Sequence, residues 1–193
     1  SNNITSYGNS IGISTEDSSY ITIESNIVKT FNNTALDIRS SYGNIIRFND
    51  ILVLGSWYTK SAFGISSSYN LSASYNNITT SGAGTYGLEL GSGSEMNFSN
   101  FNITAYSQDS PAVSFLAANG SISINNFMIT TLANGSAGLS FYFYNNNPGN
   151  LTATIFDSSV NTINSIGINL TKETINGGWF NLTNVTLSNR DMI

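Results

Sequence analysis

The chain has no cysteine and no histidine. Without thiols there is no disulfide framework and no thiolate chemistry. Without imidazole, an activated serine nucleophile or a histidine metal site has nothing to be built from. Charge is also scarce. Six Lys and Arg stand against eleven Asp and Glu, together 9% of 193 residues, where about a quarter is usual. So few cations leave no phosphate-binding footprint, which argues against a nucleic-acid partner. No apolar run approaches the roughly 18 residues of a membrane span, and no basic amphipathic helix points to an interfacial one.

What remains is 40% hydrophobic, enough to fold, and rich in the Ile, Val, Phe and Tyr that suit strands. The polar surface must be Asn, Ser, Thr and Gly. An apolar–small–apolar triplet recurs as Ile11-Gly12-Ile13, Leu36-Asp37-Ile38, Phe63-Gly64-Ile65, Tyr86-Gly87-Leu88, Val113-Ser114-Phe115, Leu139-Ser140-Phe141 and Ile166-Gly167-Ile168. Its spacing is 23 to 27 residues. Between the triplets a polar–apolar pair keeps the same phase, as in Asn3-Ile4, Asn77-Ile78 and Asn184-Val185. Apolar residues alternate at Ile21/Ile23, Ile46/Phe48, Met96/Phe98 and Ile122/Ile124, the period of a strand with one face in. No stretch has a helical period. Three short strands per cycle of about 26 residues predict an all-β parallel solenoid of about seven coils, one domain over residues 1–193. The repeat begins midway through a coil and stops in another, so the expectation is a segment of a longer solenoid, or one whose ends other chains cover.

The triplets and the Asn-apolar row together resemble the right-handed parallel β-helix superfamily. That group spans pectate-lyase-like folds, phage tailspikes and the Asn-Asn-x-Ile repeats of proteins that mature periplasmic copper sites. The resemblance covers the whole chain and implies a right-handed, single-stranded β-helix. It implies no particular activity, because the fold hosts lyases, hydrolases, adhesins and shafts. It also implies a tight turn between second and third strands carrying an Asn in the left-handed conformation, with the amides stacked coil on coil. Asn3, Asn26, Asp50, Asn77, Asn100, Asn126 and Asn184 fit that ladder, with Ser159 completing the row.

Enzymes of the resembled group cluster carboxylates on one face beside Arg, Lys or His. The acid–base group to be built here is Asp37, Arg39 and Glu89, with Glu89 two coils from Arg39; an exposed ion pair is the plainer reading. No catalytic residue, metal ligand or cofactor is assigned. The row Gly12, Asp37, Gly64, Gly87, Ser114, Ser140 and Gly167 reads as an outward stripe of small residues. It would admit a neighbouring chain or let the first strand bend. Trp57, Tyr58, Tyr142 and Tyr144 are candidates for stacking on sugars.

Asn-x-Ser/Thr occurs twelve times, which points outside the cell. Asn3, Asn77 and Asn184 fall in the ladder row, where a glycan would break the stack. Glycans are expected instead on Asn32, Asn70, Asn97, Asn102, Asn119, Asn134, Asn150, Asn169 and Asn181. The functional expectation is a non-catalytic, glycosylated extracellular β-helix, structural or adhesive, with N-linked glycans, cell-surface carbohydrate or copies of itself as partners. The alternatives are a viral tailspike or attachment fibre on the virion surface that binds host glycan, and a polysaccharide lyase or glycosidase whose site is mostly elsewhere.

Overall fold

A computed structural model describes residues 1–55, 60–106, 108–116, 120–134, 136–143, 151–163, 166–172 and 178–190. Among them there is no helix, hence none long and apolar enough to cross a membrane. The strands are β1 (Asn3–Ser6), β2 (Ile13–Glu16), β3 (Thr22–Glu24), β4 (Ile27–Phe31), β5 (Leu36–Arg39), β6 (Ile45–Arg47), β7 (Asp50–Leu54), β8 (Lys60–Ser66) and β9 (Ser68–Ser74). They continue as β10 (Asn77–Ser81), β11 (Thr85–Leu90), β12 (Gly93–Ala105), β13 (Val113–Leu116), β14 (Gly120–Thr131), β15 (Leu139–Phe143), β16 (Leu151–Ile163), β17 (Ile168–Lys172) and β18 (Gly178–Arg190).

Every pairing between them is parallel, one coil to the next. The first strands form one sheet in the order β17-β15-β13-β11-β8-β5-β2. The third strands stack as β1-β4-β7-β10 and continue into β12, β14, β16 and β18, with β3, β6 and β9 forming the second face beside them. From β12 onward the second and third strands run together. The chain is a parallel β-solenoid.

In-register stacking turns each inward position into a column. One runs Ile4, Val28, Ile51, Ile78, Ile103, Ile129, Val160 and Leu187. All but its two end members are buried, and burying each side chain contributes about 1.5–3 kcal/mol. Phe115 and Phe141 stack at 4.4 Å between ring centres in a first-face column.

A polar column runs beside the aliphatic one. Asn2, Asn26, Asn49 and Asn76 occupy the corner between second and third faces. The backbone N–H and the Nδ2 of Asn26 both donate to Asn49 Oδ1, at 3.1 and 3.2 Å. Those of Asn49 both donate to Asn76 Oδ1 at 3.0 Å. Asn49 Nδ2 also reaches the carbonyls of Ile23 and Arg47. The corner thus satisfies its backbone without a continuous sheet ladder. In the next coils Phe101 and Phe127 take the same column and stack at 4.8 Å. Ser158 follows, accepting from the Phe127 N–H at 3.1 Å.

One residue earlier, every coil turns through the left-handed region: Ser25, Phe48, Tyr75, Asn100, Asn126, Asp157 and Asn184, with φ between 49° and 56°. Asn126 Nδ2 donates to Asn100 Oδ1, and Asn184 Nδ2 to Asp157 Oδ1, both at 2.7 Å.

The ladder drawn from the sequence therefore divides over three columns. Asn26 lies in the buried one. Asn100, Asn126 and Asn184 lie in the left-handed column outside it. Asn3, Asp50, Asn77 and Ser159 lie one residue beyond it, with Asn3, Asp50 and Asn77 exposed. The cause is a one-residue slip between coils, which exchanges inside for outside. Phe48, read as inward by its alternation with Ile46, is 52% exposed, because it lies past the end of β6 in the left-handed turn, where the alternation breaks. The small row is also corrected. Gly12 aligns with Ala35, and Gly87 with Ala62 and Ala112. A Cβ on Gly12 or Gly87 would strike the carbonyl oxygen of Ala35 or Ala112 at about 2.6 Å or 2.5 Å, so these glycines belong to an inward seam that only Gly and Ala fit.

Asn49→Ala leaves the Asn26 N–H without its side-chain acceptor and removes the Asn49 amide donor from the Ile23 and Arg47 carbonyls, so it should cost about 3 kcal/mol in urea unfolding. Asn77→Ala on the exposed face should cost under roughly 0.5 kcal/mol. Equal losses would contradict the assignment of the buried column.

Candidate functional site

Charged side chains gather at one place on the first face. β5, β8 and β11 are consecutive rungs, and Asp37 aligns with Gly64, which aligns with Glu89. Both acids therefore point outward in one column, two rungs or roughly 10 Å apart. The sequence triplet put Gly87 at this height. The true register advances β11 by two residues, so Glu89 stands at this height and Gly87 joins the inward seam with Ala62 and Ala112.

Gly64 forms the floor between them. A Cβ there would stand 3.0 Å from Ser61 Oγ and 3.7 Å from Asp37 Oδ1, so the missing side chain is what opens the space. The result is a cleft of about 320 Å³ lined by Asp37, Arg39, Lys60, Ser61, Gly64 and Glu89 among others. Arg39 follows Asp37 by two residues and so shares its face. Its Nη2 lies 2.7 Å from Asp37 Oδ2, with the Asp37 side chain 8% exposed. Oδ2 has no partner besides this ion pair. The short contact with Asp37, then its charge, raise the Arg39 pKa against a small opposing effect of burial, and Glu16 on the adjacent rung adds to the rise. Since the pKa is raised, Arg39 keeps its proton across the ordinary pH range and gives it up only in strong alkali. Across the cleft Ser61 Oγ donates to Glu89 Oε2 at 2.7 Å.

The arrangement offers two carboxylate acceptors, a guanidinium and an ammonium as donors, and a hydroxyl, around a floor without a side chain. That set is complementary to a ring bearing several hydroxyls, which both donate and accept. Among the described residues no three acidic side chains gather as a metal site.

The structure brings together Asp37, Arg39 and Glu89 as a group. The sequence missed Lys60 and Ser61, which begin β8 and have no motif to mark them; only the register shows that they border the Glu89 rung. Trp57, Tyr58 and Tyr144 lie outside the described residues, as do Asn119 and Asn150, and Tyr142 is placed by its backbone alone, in β15. Asn32, Asn70, Asn97, Asn102, Asn134 and Asn181 are exposed, and Asn169 is half-buried. Asn3, Asn77 and Asn184 are exposed too, so a buried ladder does not set them apart. Asn77 and Asn184 differ in another way: each Nδ2, the atom that would carry a sugar, donates to a neighbouring Asp at 2.7 Å.

No protein-family model matches the chain, and neither a curated protein nor a solved structure matches it.

Arg39→Met leaves the buried Asp37 carboxylate without its cation. It should lower unfolding stability by about 2 kcal/mol at neutral pH. A loss no larger than that of Asn77→Ala would mean that the ion pair carries no weight in the fold.

Proposed function

We propose that the chain is an extracellular, N-glycosylated rod with a structural or adhesive role on a cell surface. The observation that carries this reading is the chemistry of the outward columns. On the third face one column runs Asn3, Ile27, Asp50, Asn77, Asn102, Met128 and Ser159, and the next runs Thr5, Lys29, Leu52, Thr79, Thr104, Thr130 and Asn161, so amides and hydroxyls make up most of each. Amides and hydroxyls in fixed rows hydrate well and carry little charge, which suits a durable exposed surface. Strand sequons follow from the same pattern: Asn and Thr two residues apart share a face, so Asn102 and Thr104 both look outward. We also assign the coil a right-handed sense, on the general preference of parallel crossovers.

Glycopeptide mapping of the chain secreted from eukaryotic cells tests this. Occupancy is expected at Asn32, Asn97, Asn102 and Asn181, and should be lower at Asn77 and Asn184, whose amide nitrogens donate to Asp carboxylates at 2.7 Å. A secreted chain bare at the first group would remove the glycoprotein reading.

The cleft favours a second reading, cleavage of a glycan. Two carboxylates on alternate rungs come near the roughly 6.5–9.5 Å separation of an inverting glycosidase pair. If any glycan is cleaved, Asp37→Asn and Glu89→Gln should each lower the rate at least ~100-fold, with Asn77→Ala as the unaffected control. Full activity in either variant would confine the cleft to binding.

A further inference from the structure

The left-handed column contains two residues that ease neither the turn nor the core. Asn100, Asn126, Asp157 and Asn184 hold the later corners, and Asn and Asp are the side chains that tolerate positive φ. At the same position Phe48 and Tyr75 adopt φ 56° and 54°, where a bulky side chain is disfavoured. They gain no burial in exchange, being 52% and 54% exposed. The rings stack on each other at 5.0 Å and 12°, and Arg47 lies 5.9 Å from the Phe48 ring. Asn100 succeeds Tyr75 in the column, so no third ring covers the far side of Tyr75.

A second aromatic column borders the other side of the short second face. Tyr42 pairs with Tyr69 on the next rung. Tyr20 meets Tyr42 edge-on at 5.6 Å and lies over Gly43, where a Cβ would come within 2.8 Å of its ring. Tyr20 too has positive φ, 58°, and is 75% exposed. The left-handed backbone belongs to the turns of the fold, but bulky, exposed rings at such positions carry a strain that Asn avoids elsewhere, and that choice of side chain points to use.

We propose that these two columns and the face between them form a binding platform for an uncharged polysaccharide chain. Aromatic rings take the C–H faces of sugars. Between the columns, Thr22, Ser72, Ser74 and the Glu24–Arg47 pair, closed at 2.7 Å, supply hydroxyl, acceptor and donor groups for sugar hydroxyls while carrying no net charge. Size decides against a protein partner. Three rungs by seven residues is roughly 10 by 20 Å, about 200 Å², against some 800 Å² per partner in a stable protein interface. The platform is separate from the Asp37–Glu89 cleft. It rests on the adhesive reading above, and names both the ligand class and the surface that takes it.

The test is affinity electrophoresis of the whole chain through gels cast with mannan, xyloglucan or β-glucan. Three proteins are compared: wild type, Phe48→Asn/Tyr75→Asn and Asp37→Asn/Glu89→Gln. Wild type should be retarded in at least one gel. The Phe48→Asn/Tyr75→Asn pair should lose roughly tenfold or more in affinity, while its melting temperature holds or rises, because Asn suits the turn. The cleft pair should bind as wild type does. No retardation in any gel, undiminished retardation in the Phe48→Asn/Tyr75→Asn pair, or a lowered melting temperature in that pair would each overturn the platform. Binding lost only in the cleft pair would overturn it and keep the adhesive reading. A wild-type dimer in sedimentation that the Phe48→Asn/Tyr75→Asn pair dissolves would overturn it in favour of self-association.

Discussion

Strict register between coils is the constraint on which the rest depends. At about 4.8 Å per rung, the nearest neighbours of each side chain are the residues above and below in its own column. Like must therefore tolerate like, and like charges in adjacent rungs repel. This gives the low charge a structural reason. Glu24 stands beside Arg47, and Glu16 beside Arg39. Asp50 and Asp157 each accept from the Asn of the next coil. The two acids of the cleft share a column only because Gly64 separates them. The cleft is a local exception to the stacking rule and is possible only where a side chain is missing.

Two architectures share the rod. In the early coils the corner between second and third faces is held by amides that bind backbone and each other. In the middle coils the same column is filled by Phe101 and Phe127, and the sheet runs unbroken from second to third strand. Moving from amide to ring changes what holds the corner, from hydrogen bonds to dispersion and apolar burial, without changing its path. The left-handed residue before it is common to both, so the bend is set by the backbone and only its support is exchanged.

Most of the fold was legible because the period of about 26 residues and the alternation within strands are properties of composition along a line. Which column a residue joins is not such a property. Coils of 23 to 27 residues can be aligned in several ways, and a slip of one residue moved Asp50 and Asn77 from an apparent interior to the surface. The doublets Asn2-Asn3, Asn49-Asp50 and Asn76-Asn77 held the correction, since the first member of each is the one that stacks inside. The cleft was half legible. Asp37 and Arg39 sit two apart on one strand, a local pattern, and Glu89 was within reach. Lys60, Ser61 and the floor at Gly64 join them only through pairing between coils. Tyr20, Tyr42, Tyr69 and Tyr75 raised no signal, because strand-forming sequences are rich in tyrosine and exposure is invisible without the register.

The sequence of chemistries down the corner column, amide at Asn2, Asn26, Asn49 and Asn76, ring at Phe101 and Phe127, hydroxyl at Ser158, gives each coil an address. A solenoid of identical coils could shift by a whole turn during folding and still bury its aliphatic ladder. Here such a shift would set a buried amide against a benzene ring at one boundary and a ring against a hydroxyl at the other. The unevenness of the repeat is thus what lets a repetitive chain count its own turns.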